Sequence, residues 1–156
     1  MATTLNITTL NQLVSNLQDI ADKHQAINGF QYGEAHEFYL SGTTNAPEMW
    51  VTCTGVDRQR AVTIYNLTIY LVDNVKRGEV NELEVESDLI QISEDVIFQL
   101  QNNDYGWNIP QDTSIPIKLM TERTPKNLTV TEFSVSIRTK KPANICAIPF
   151  TTNPIP

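Results

Sequence analysis

Basic residues are scarce in this chain: 11 lysines and arginines stand against 18 aspartates and glutamates, for a net charge of −7. Nucleic-acid affinity draws largely on cations that displace counterions from phosphates, so this balance argues against a DNA- or RNA-binding module. Long apolar runs are missing too. The longest, around Ile64–Val72, is interrupted by Asn66 and Thr68 and falls well short of the ~20 residues that span a bilayer. The opening "MATTLNITTLNQ" has neither a basic nor an apolar leader segment, so no secretory signal is expected. The two cysteines, Cys53 and Cys146, have no C-x-x-C or Cys/His spacing near them. Reduced structural roles are the default, and a bridge between them stays open. Asn-x-Ser/Thr triplets at Asn6, Asn66 and Asn127 are read as chance in an Asn/Thr-rich chain. G-x-S-x-G, P-loop, GxGxxG and HExxH patterns do not occur, which leaves catalysis without an anchor.

What is present describes one domain of 156 residues, long enough for a proper core. Thr9-Leu10-Asn11-Gln12 fits a capping box. Leu10, Leu13, Val14, Leu17, Ile20, Ala21 and Ile27 then fall on one helical stripe. A helix is expected over 10–27, closed by a left-handed cap at Asn28-Gly29. Residues 30–40 alternate weakly as a strand, 41–47 form a turn cluster, and 49–53 read as a short buried strand. A polar loop is expected over 55–60, followed by the longest strand signal, 61–72. There Tyr65, Leu67, Ile69 and Leu71 share a face with Thr63, and the opposite face is mixed. A second helix is expected over 80–102, with Leu83, Leu89, Ile90, Ile92, Val96, Ile97 and Leu100 as its stripe. Strands follow at 114–121 and 128–139, the latter with a bulge near Thr131-Glu132 where the alternation slips. Residues 142–156, rich in proline, read as an extended C-terminal arm beyond a single domain of 1–141. The order predicts an α+β fold: a mostly antiparallel sheet with two helices packed on one face.

Several residues invite a chemical reading. Glu79, Glu82, Glu84, Glu86 and Asp88 crowd the start of the second helix, just after Lys76-Arg77-Gly78. Helix starts favour negative charge, which explains about two of the five acids. The others leave an assembly surface, a metal site or paired catalytic carboxylates open, although the D-x-[DN]-x-[DN]-G pattern of a calcium loop is absent. His24 borders the apolar stripe of the first helix as a packed or capping residue. His36 lies between Glu34 and Glu37, but on a strand Glu37 would point away, leaving too few ligands for a metal. No metal or other cofactor is expected. Trp107, in the loop "DYGWN" beside Tyr105, is either a lid over the core or an interface anchor.

The stretches "NGFQYGEAHEF", "APEMWVTCTG", "TIYNLTIYLVDNVKRGEVNELEVESDLIQISEDVIFQL" and "NICAIPF" together resemble tail-terminator and head–tail neck ring proteins of tailed phages, notably crAss-like and other Bacteroidetes-infecting phages. The resemblance covers nearly the whole chain and rests on patterns, not on a catalytic signature. It implies a tail-terminator-like fold and a non-enzymatic virion subunit, made in the host cytoplasm. Such a subunit forms a ring of six or twelve copies between portal and tail, with neighbouring connector or tail proteins as partners and DNA only as passing cargo. A ring closes through two different faces per subunit. Lys76, Arg77, Glu79, Glu82, Glu84, Glu86, Asp88, Trp107, Lys140, Lys141, Pro149 and Phe150 are then the assembly-interface candidates, and spare acids would line a lumen that lets DNA slide. The rival from another class is a small ligand-binding or enzymatic domain with a pocket between Trp107 and the sheet.

Overall fold

Thr9 starts the first helix as expected. Its hydroxyl accepts from the Gln12 N–H at 3.3 Å, while the Gln12 side chain accepts from the Thr9 N–H at 2.9 Å, so two of the donors left free at a helix start are satisfied reciprocally. The computed structural model describes residues 9–34, 37, 45–75, 81–102, 107–109, 114–121 and 128–140. In chain order these form α1 (Leu10–Lys23), β1 (Gly29–Tyr32), β2 (Glu48–Gln59), β3 (Val62–Asn74), α2 (Glu82–Gln101), β4 (Lys118–Thr121) and β5 (Leu128–Lys140). The strands make one sheet in the order β1-β2-β3-β5-β4. Every pairing is antiparallel except β1 with β2, which is parallel.

The core lies between one face of this sheet and the two helices. Leu13, Leu17, Ile20 and Ala21 of α1 and Val85, Leu89, Ile92, Val96 and Leu100 of α2 meet Met49, Val51, Leu67, Ile69, Leu71, Phe133, Val135 and Ile137. This is the predicted α+β arrangement, with both helices on one face. On the other face, alternation along the strands gathers Trp50, Val72, Leu128 and Val130 into a second buried cluster at the end of the sheet where β3 finishes and β5 begins. The middle of that face is polar and internally bonded. Ser136 Oγ donates to Asn66 Oδ1 at 2.7 Å, Asn66 Nδ2 donates to Asp57 at 3.0 Å, and Thr68 and Ser134 share a bond of 3.2 Å. Asn66 and Thr68, which interrupt the apolar run, thus serve the solvent side of a central strand.

Several boundaries differ from the sequence reading. α1 ends at Lys23, where His24 caps it in an extended conformation. Gly29 belongs to β1 and has no left-handed backbone; its use is close approach, since a Cβ there would sit 3.2 Å from Glu48 Cγ. β1 stops at Tyr32, and residues 35–36 and 38–44 lie outside the described residues. The expected loop at 55–60 is instead the far half of β2, which stays paired with β3 as far as Gln59↔Val62. A register shift between Cys53 and Gly55 re-phases the alternation there, so exposed polar residues continue a strand held by its ladder and not by burial. The bulge expected at Thr131-Glu132 is absent: β3 and β5 stay in register from Val62↔Lys140 to Asn74↔Leu128. The apparent slip arises because Val130 serves the second cluster and Phe133 the main core. Thr131, between them, faces α2 and bonds Ser93 Oγ at 2.8 Å. β4 is shorter than expected, beginning at Lys118. No helix among the described residues is long and apolar enough to cross a membrane.

Candidate functional site

α2 carries six acids, Glu82, Glu84, Glu86, Asp88, Glu94 and Asp95, and no basic residue in its 20 positions. Two of them, Glu82 and Glu84, stand in the first turn, where the unpaired N–H groups and the helix dipole favour a carboxylate by about 0.3–1 kcal/mol each. Helix charge preference does not account for the other four. Glu84, Asp88, Glu94 and Asp95 are exposed and Glu82 and Glu86 half-buried. Among the described residues the only basic side chain bonded to any of them is His24, beside Asp95.

The same outward side holds two large apolar side chains. Leu83 is 80% exposed and Phe98 71%. At 100° per residue they lie about 60° apart around the helix axis, and at 1.5 Å per residue about 22 Å apart along it. Half-buried Ile90 and Ile97 follow Leu83 at seven-residue intervals and join the two into an interrupted apolar strip edged by acids. Leu83, expected in the core stripe, is therefore a surface residue, since Val85 and Leu89 take the positions that face the sheet. Phe98, which the sequence reading did not single out, is the second member of the strip. Its angular position opposite Val96 and Leu100 is the signal that finds it.

Trp107 goes the other way. It is 2% exposed, packed in the main core, and its indole N–H donates to the Leu100 carbonyl at 2.9 Å. It is the lid over the core and presents no face to a neighbour.

Exposed cations collect at the opposite end of the sheet. Register places Arg58 opposite Thr63, Arg138 opposite Ile64 and Lys140 opposite Val62, around the Arg60-Ala61 turn that joins β2 to β3. Val56, 53% exposed, shares the helix side of the sheet with Arg58, while Arg138 and Lys140 lie on the other side. Of the other assembly candidates, Lys76, Arg77, Glu79, Lys141, Pro149 and Phe150 lie outside the described residues, as do His36, Tyr105 and Cys146. Cys53 is a half-buried free thiol.

His24 links the helices. The Ala26 N–H donates to Nδ1 at 3.1 Å, which leaves the proton on Nε2, 3.0 Å from Asp95 Oδ2. Clefts of about 320 and 440 Å³ flank this pair, one reaching Phe98 and Lys23, the other Asp88 and Pro47. Glu34 and Glu37 bond each other locally, the Glu34 N–H donating to Glu37 Oε1 at 3.4 Å. No group of three potential metal ligands gathers among the described residues.

Asp73, at the end of β3, has its pKa raised above the ordinary 3.8, first by burial and further by the Asp88 charge, against a hydrogen bond from the Asn74 N–H at 2.7 Å. A carboxyl with a raised folded-state pKa binds its proton more tightly in the folded than in the unfolded chain. Stability is then lost as pH rises from about 3.8 through the raised value. Asp73→Asn keeps the acceptor for Asn74 and removes the charge. Chemical denaturation at pH 3.5 and pH 7 should show the variant gaining on the wild type at the higher pH; an equal gap at both values would assign Asp73 no such cost.

No protein-family model matches the chain, and no curated protein matches it.

Proposed function

We propose that this chain is a non-enzymatic structural subunit of a tailed-phage virion, one of six or twelve copies in a ring of the head–tail neck or tail end through which DNA passes. The observation that carries this reading is the outward side of α2, where Leu83 and Phe98 stand in water on a helix whose only charges are acids. Exposed apolar strips rimmed by charge mark contact surfaces. The resemblance to neck and tail-terminator proteins supplies the kind of assembly, and its partners are copies of the chain and the proteins stacked above and below.

Light scattering across a concentration range tests it. The full chain should show a mass six or twelve times 17.6 kDa, and Leu83→Ser/Phe98→Ser should shift the population at least tenfold toward monomer. A variant that associates as well as the wild type would remove α2 from the assembly. The second reading, a ligand-binding domain, draws on the two clefts beside His24 and Asp95. Its signature is a monomer at every concentration that loses nothing when the chain is ended at Ala143.

A further inference from the structure

We propose that the outward side of α2 receives the β2–β3 hairpin tip of a second copy of this chain. This rests on the assembly reading and names its contact. α2 offers Leu83 and Phe98 among Glu84, Glu94 and four further acids, with no base. A second α2 is a poor occupant, because exposed acids would meet the same acids, with only Lys23, already paired to Asp19, and His24 as basic groups beside the Phe98 end. The occupant must be apolar and cationic. The largest gathering of cations among the described residues is the tip: Val56 and Arg58 are exposed on the helix side of the sheet, Arg60 stands in the turn, and Arg138 and Lys140 are exposed on the other side, with Asp57, which accepts from Asn66, as the local acid. Exposed Leu119 on β4 has one cation beside it, Lys118.

The placement of the two patches fits a repeating contact. α2 begins where β3 ends. Thereafter Ser93 bonds Thr131, and Leu100 meets Trp107, next to the Asn108↔Arg138 bridge. Its most acidic turns therefore lie at the end of the sheet away from the hairpin, roughly 40 Å off by the length of the 13-residue β3. One molecule cannot satisfy its own tip with its own helix start. A neighbour can, and because the two patches differ, the contact is head-to-tail and generates a ring when its rotation closes. The charges supply direction and encounter rate, and the apolar residues at its centre supply most of the affinity.

Two charge-reversed chains test this. One carries Arg58→Glu, Arg60→Glu, Arg138→Glu and Lys140→Glu; the other carries Glu84→Lys, Asp88→Lys, Glu94→Lys and Asp95→Lys, which leaves Glu82 and Glu86 as the acids of α2. All eight side chains are exposed, and circular dichroism checks that each variant folds. Each variant alone opposes like charge at the contact and should stay monomeric where the wild type assembles. Mixed in equal amounts they should restore the assembly with strict alternation and a one-to-one ratio. A single chain carrying all eight changes should assemble by itself. Raising salt from 0.1 to 1 M shortens the screening length from ~10 to ~3 Å and should weaken every assembled form. Single variants that assemble like the wild type, or a mixture that stays monomeric, would overturn the tip-to-helix contact while wild-type rings keep the assembly reading intact. A wild-type chain that is monomeric at all concentrations would overturn both.

Discussion

Phe133→Ala is expected to lower the unfolding free energy by about 3–5 kcal/mol, a large part of the ~5–15 kcal/mol that holds a domain of this size together. Phe133 sits midway along β5, opposite Ile69 on the central strand, and is almost fully buried among residues of both helices and three strands. Removing the ring takes apolar surface out of the core and leaves a void whose walls belong to two pleated strands in unbroken register, which have little freedom to collapse inward. The urea midpoint should fall with the slope unchanged. A loss below 1 kcal/mol would mean that the helices and the sheet do not close over this position.

Trp107 should behave as two interactions in one side chain. Its ring fills the end of the core, and its N–H satisfies the carbonyl of Leu100, one of the last four of α2, which have no partner within the helix. Trp107→Phe keeps most of the packing and leaves a buried carbonyl unpaired, for about 1–3 kcal/mol. Trp107→Ala loses both and should cost about 3–5 kcal/mol. If the two variants were equally stable, the ring would contribute no packing of its own. If Phe matched the wild type, the hydrogen bond would be worth nothing.

Much of this architecture could be read from periodicity. The stripe of α1 and the alternation of β3 placed their helix-side and sheet-side core faces correctly, because every second residue from Tyr65 to Leu71 packs into the main core while the other face of β3 is a mixture of polar residues and the second cluster. Reading failed where a residue served a second purpose. Thr131 faces a buried serine hydroxyl and so looked like a break in alternation. The outer half of β2 is exposed on both sides after its bulge, with Val56 the one apolar side chain beside Asp57, Arg58 and Gln59, and so looked like a loop. Gly29 looked like a cap because turns and close strand approach both favour glycine. The acids of α2 were visible in the sequence, and Phe98 was legible from its place opposite Val96 and Leu100, whereas Leu83 looked like core until Val85 and Leu89 were seen to face the sheet. The cations at the hairpin tip come from two segments about eighty residues apart, Arg58 and Lys140 being the outermost, and only strand pairing brings them together.

That pairing also sets a timetable. The partners along β3 and β5 are separated by 54 residues at Asn74↔Leu128 and by 78 at Val62↔Lys140. During synthesis at ~5–20 residues per second, β3 leaves the ribosome on the order of 3–11 s before the first of β5. Through that interval the central strand has β2 on one side and an open edge 13 residues long on the other. An unpaired edge of that length is a template for any strand that arrives first, including β2 or β3 of a neighbouring nascent chain. The yield of correctly folded protein should therefore depend on how densely its messenger RNA is translated. Slowing initiation, which spaces the ribosomes apart, should improve recovery more than slowing elongation, which only lengthens the wait.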